Sequence, residues 1–112
     1  MLPEELQTSV IRRSTQLAVT IRQYLDGNVE SRSVHALLNE IVIEAEIDER
    51  WNLPLARGEE ALWSLVWSAQ HLCSPSHPIR LARQALEPHL QAVEQGKPLP
   101  FGTSAKRPRG AA

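Results

Sequence analysis

A chain of 112 residues holds one domain with one core, and not two. Its 42% apolar content excludes wholesale disorder, and aromatic residues at only 4% leave Leu, Ile, Val and Ala to fill the core, which favours helices over an aromatic-rich sheet. The formal net charge of −1 names no partner, yet the charges are unevenly placed: residues 29–60 carry eight acids against three Arg, and residues 61–112 carry two acids against six Lys or Arg.

The first helix is predicted from Pro3 to Leu25. Pro3 suits a first helical position, and Glu4 and Glu5 complement the positive helix end. Leu6, Val10, Leu17, Ile21 and Tyr24 recur at helical steps. Arg12-Arg13 reads as a solvated face. Asp26-Gly27-Asn28 is the stop, with Gly27 free to take the left-handed cap. The second helix starts near Glu30 or Ser31 and ends near Arg50, its main stripe being Val34, Leu38, Ile41 and Ala45. Asn52-Leu53-Pro54 breaks it, because a residue before Pro avoids helical geometry. The third helix begins around Arg57 or Gly58 and runs to Cys73, with Leu62, Leu65, Val66, Ala69, Leu72 and Cys73 on its buried side. Ser74-Pro75-Ser76-His77-Pro78 is a turn. The fourth helix starts at Pro78, keeps its rhythm through Ile79, Ala82, Leu86, Leu90 and Val93, and ends at Gly96. Pro88 inside it predicts a kink or a split.

Together these elements predict an all-α, four-helix bundle of antiparallel type over residues 1–96, followed by a flexible basic C-terminal tail over 97–112. The opening Met-Leu-Pro-Glu-Glu is unlike a signal peptide, and no stretch reaches the roughly 18 apolar residues of a membrane span. One cysteine, Cys73, fits a reducing compartment, so a cytoplasmic location is expected.

Catalytic chemistry has little to stand on. His71, Cys73 and His77 match no common zinc spacing, and Cys73 falls on a buried stripe, where thiols are usually inert. Glu40 and Glu44 sit on one helix face, but nothing nearby separates their proton affinities as acid–base work requires. No phosphate loop, nucleophile elbow or His-Glu-x-x-His is present. The expectation is a chain without catalytic residues, metal or cofactor.

Two surfaces exceed what a core needs. At about 100° per residue, Ile43 and Ile47 fall away from the Val34–Leu38–Ala45 stripe, and Trp51 continues in that direction. The same segment holds Glu40, Glu44, Glu46, Asp48 and Glu49. Glu40, Glu44 and Asp48 repeat at four-residue steps, a mildly destabilising arrangement of like charges. Two readings stand: a site for a basic protein, with charges steering and Ile43, Ile47 and Trp51 anchoring, or a central helix with Ile43 and Ile47 packed on a second neighbour and the acids solvated. On the third helix, Trp63 and Trp67 lie one turn apart beside the main stripe, either as binding anchors or as caps of the core. Glu59 and Glu60 extend the acidic module. The four basic residues between Lys97 and Arg109 are few for nucleic acid, and Phe101 alone interleaves them, so a solubilising end is expected there.

The run Ile21-Arg-Gln-Tyr-Leu-Asp-Gly-Asn-Val29, followed by a helix with Val34, resembles the opening of colicin D-type immunity proteins and their relatives in contact-dependent growth inhibition systems. The stretch Glu59-Glu-Ala-Leu-Trp-Ser-Leu-Val-Trp-Ser-Ala-Gln-His-Leu-Cys-Ser-Pro75 resembles their third helix and the turn after it. The likeness covers roughly residues 17–95, and departs from the pattern in the long first helix, in Pro88 and in the basic tail. It implies a four-helix bundle that neutralises a toxin nuclease by filling its basic cleft with acidic side chains. The first expectation is therefore an immunity-type inhibitor of a cationic protein. A homo-oligomeric helical adaptor using the same Ile and Trp patches, or a small nucleic-acid-associated regulator using the tail, are the alternatives. Monomer and homodimer are both open.

Overall fold

The computed structural model describes residues 2–47, 52–100 and 102–108. Helix α1 spans Pro3–Leu25, α2 Ser31–Ile47, α3 Glu59–Leu72 and α4 Ile79–Gln95, and no strand occurs among the described residues. These bounds fall within two residues of those read from the sequence, except at the end of α2, where the predicted continuation to Arg50 lies outside the described residues. No helix is long and apolar enough to cross a membrane.

Local chemistry sets the helix ends. Pro3 stands in the first turn of α1 with Glu4 and Glu5 beside it. At the other end Gly27 takes φ 80°, so that its N–H reaches Tyr24 O at 3.0 Å and the Asn28 N–H reaches Gln23 O at 2.8 Å. Those two bonds satisfy carbonyls that the helix would otherwise leave without donors. Gly96 closes α4 in the same left-handed region. Pro88 does not split α4, which runs unbroken from Ile79 to Gln95. The proline ring removes one N–H from the helix. Leu86 and Leu90 on either side of it are fully buried, and their packing holds the helix across the gap.

The core is one cluster drawn from all four helices. Each of α1 and α3 packs against the other three. The period of α1 therefore places Leu6, Val10, Leu17 and Ile21 inside at 1% exposure or less, and that of α2 places Val34, Leu38, Ile41 and Ala45 there too. Because α3 has neighbours on three sides, its buried surface is wider than a single stripe and takes in Trp63 and Ser64.

Polar groups lock the helices in register. Arg22 of α1 forks between Glu87 and Glu94 of α4, and its shortest bond to Glu94 is 2.7 Å. The Arg22 hydrogen bonds hold the Glu87 carboxyl below its ordinary value. Arg83 of α4 donates to Leu25 O and to Asp26 at the end of α1. His35 of α2 donates to Cys73 O at 2.6 Å, and Tyr24 reaches the next carbonyl, Ser74 O.

Candidate partner-binding surface

The outer face of α2 is open. Ile43 is 53% exposed and Ile47 71%, while Ile41 and Ala45 on the opposite side are buried. Of the two sequence readings for these isoleucines, the one with a second packing neighbour is not realised: they face outward. They stand one helical turn apart, and an apolar pair of that kind on a surface helix adds nothing to the fold. Glu40 and Glu46 flank them, the first exposed and the second half-buried. Asp48, Glu49 and Trp51 lie outside the described residues.

Glu44 has a different setting. It accepts from Ser9 Oγ at 3.1 Å and from the guanidinium of Arg13, which also reaches Glu40 at 3.4 Å. Arg12 approaches it at 3.9 Å. Arg13 itself is 5% exposed and places its remaining nitrogen 2.9 Å from Gln16 Oε1. The solvated face expected for Arg12-Arg13 thus holds for exposed Arg12 but not for Arg13. The signal was in the spacing: position 13 continues the buried series 6, 10 and 17 at helical steps. The hydrogen bond to Glu44 raises the Arg13 pKa, and burial only partly opposes it. Glu44 is consequently a clamp between α1 and α2, and the acids left to face a partner are chiefly Glu40 and Glu46. A shallow groove beside this region is lined by Glu4, Glu5, Thr8, Ser9 and Arg12, which adds two more exposed acids.

The acidic start of α3 divides in the same way. Glu60 is exposed, whereas Glu59 is fully buried and cannot present itself to a partner. Its carboxylate accepts from the Ala56 N–H at 3.0 Å, from Trp63 Nε1 at 2.9 Å and from Arg107. Trp63 is fully buried as well, so its expected role as a surface anchor is replaced by one in the core. Trp67 stacks on it with ring centroids 6.0 Å apart, is half-buried, and donates its indole N–H to Lys106 O at 2.6 Å. The segment read as a solubilising tail therefore touches the bundle at Lys106 and Arg107.

No cluster of three His, Cys, Asp or Glu side chains suited to a metal occurs among the described residues. Burial pushes the Cys73 thiol up to about 12, which keeps it protonated and unreactive. Ser64 Oγ lies 2.7 Å from His89 Nδ1, but Ser64 is fully buried between α3 and α4 and offers nothing to a substrate. Burial lowers the His89 pKa from its ordinary 6.5, so the fold prefers the neutral ring. In the pH window just below 6.5 the unfolded chain binds more protons at this site than the folded one. The unfolding midpoint is thus expected to be unaffected by His89 above pH 6.5 and to fall as pH drops below it, until the lowered folded pKa is passed. A thermal melt series from pH 7.5 to 5 checks this, and His89→Gln should flatten the slope.

Comparison with known proteins returns no match to any family model, any curated protein or any solved structure.

Proposed function

We propose that the chain is a non-catalytic, immunity-type inhibitor that occludes the active site of a cationic toxin, of nuclease type, with the outer face of α2. One observation carries the reading: Ile43 and Ile47 stand exposed one turn apart on a helix whose other side is core, with Glu40 and Glu46 beside them. Buried anchors surrounded by charge are what a specific protein interface needs, the apolar groups for affinity and the acids for encounter. Asp48, Glu49, Trp51 and Glu60 extend the surface in the sequence, and Trp67 is a secondary contact. Glu44 acts indirectly, by fixing α2 on α1 through Arg13. The nuclease class of the partner rests on the resemblance to colicin D-type immunity proteins; a cytoplasmic site of action rests on the single Cys73, and an antiparallel bundle bent at Pro88 on the short connections and on the proline itself.

The test is capture from a lysate of the source organism on immobilised chain, comparing wild type with Glu40→Lys/Glu46→Lys. The wild type is expected to retain a basic protein whose nuclease activity falls when free chain is added. The variant is expected to retain it at least about tenfold more weakly, with the difference shrinking at high salt. Equal recovery by both chains contradicts the role of the acids. Recovery of the chain alone, with a molecular mass that rises with concentration, supports instead a homo-oligomer built on the same isoleucines.

A further inference from the structure

Glu59 poses a problem that its own helix does not solve. It is the first residue of α3, it is fully buried, and a buried carboxylate without a cation is unstable. The cation comes from 48 residues away. Arg107 forks both carboxylate oxygens, through Nε and through Nη2 at 2.9 Å. Its other N–H groups donate to two main-chain carbonyls of the α2–α3 connection, Leu53 O at 2.6 Å and Pro54 O at 3.1 Å. All three guanidinium nitrogens are engaged, and the slot presents only acceptors to them. A lysine ammonium is a single point and cannot span this set.

The neighbours of Arg107 are held too. Trp67 Nε1 donates to Lys106 O, so the indole binds the main chain in place of a side chain. Pro108 is buried. Lys106 and Ala105 join Leu55 and Glu60 around an open hollow next to the slot. Among the described residues between Gln95 and this contact there is no helix or strand, and they include Pro98, Pro100 and Gly102. The contact is therefore a short irregular segment seated in a slot between the α2–α3 connection and α3.

We propose that the slot formed by Glu59, the Leu53 and Pro54 carbonyls and the Trp67 indole is a peptide-recognition site for an Arg-Pro segment, held in cis by Lys106-Arg107-Pro108 and exchangeable for an Arg-Pro segment of a partner polypeptide. Recognition is divided between two elements: the fork reads the guanidinium and the indole reads the main chain, with Pro108 buried next in the chain. The site shares Trp67 and Glu60 with the margin of the proposed partner surface, but it stands on its own contacts and does not rest on the inhibitor reading.

The test uses the full chain carrying Arg107→Ala, which empties the slot, and a synthetic peptide of residues 103–110. Trp fluorescence and the unfolding midpoint are the readouts. The peptide is expected to raise the midpoint of the variant and change its fluorescence. A peptide with Arg107→Ala, which keeps Lys106 and Arg109, should bind at least about thirtyfold more weakly, and one with Arg107→Lys nearly as weakly. Wild-type chain should respond less than the variant, because its own segment competes. If Arg107→Ala does not fold alone, recovery of helical circular dichroism on adding the peptide counts as binding. Arg107→Lys, which keeps a positive charge beside the Glu59 carboxylate, then serves as a second host. Failure of both hosts to respond, or equal response to the arginine and alanine peptides, overturns the proposal.

Discussion

Arg107→Ala is expected to destabilise the fold by about 3–5 kcal/mol, the cost of stranding a buried charge by removing its partner. Glu59 is fully buried with Arg107 in place. Its remaining donors, the Ala56 N–H and Trp63 Nε1, carry no full charge. Urea unfolding of the two chains measures the difference. The double variant Arg107→Ala/Glu59→Gln should be more stable than the single one, because glutamine keeps an acceptor for the indole without the buried charge. A single variant within about 0.5 kcal/mol of wild type would mean that the contact contributes little. Acid gives an independent check. Burial alone would raise the Glu59 pKa, but the Arg107, Ala56 and Trp63 hydrogen bonds outweigh it and hold it below its ordinary 4.5. The stabilisation is thus fully present above pH 4.5 and is lost as pH falls through the lower folded value. The His89 contribution begins to fall at higher pH, from 6.5 downward.

Trp63→Ala is expected to cost a similar amount, about 3–5 kcal/mol, for a different reason. The side chain is fully buried and is the largest in the core, so its removal leaves a cavity in the core cluster. It also takes away one of the hydrogen bonds to Glu59. Trp63→Phe refills most of the volume but not the N–H, and should cost clearly less than Ala. Half-buried Trp67 should lose less on truncation than Trp63. Because Trp63 and Arg107 share one carboxylate, their losses should not add, and a double-mutant cycle on denaturant midpoints would show the coupling.

The helices were legible because each carries its own local signals: Pro3 and Gly27 for α1, the Leu53-Pro54 break after α2, Pro78 and Gly96 for α4. The core stripes followed from period alone. What period could not give was the state of each acid. Glu40, Glu44, Glu59 and Glu60 look alike in sequence, yet Glu60 is exposed and Glu59 is sealed under Arg107. The difference is made by cations 31 and 48 positions away in the chain, at Arg13 and Arg107. Arg13 was within reach of pattern reading, since it continues the inward series of α1. Arg107 was not, because an irregular segment has no period to place it. Trp63 was misplaced for a third reason: an amphipathic reading assumes one buried side, and α3 is packed on three.

On the proposed reading, the outer face of α2 serves a partner and not the fold. Ile43→Gln/Ile47→Gln tests it most directly, since both side chains are exposed and glutamine is a good helix former. The unfolding midpoint should stay within about 0.5 kcal/mol of wild type, while retention of the captured basic protein falls at least about thirtyfold. A loss of stability with retention intact would contradict the claim and make the two isoleucines part of the packing.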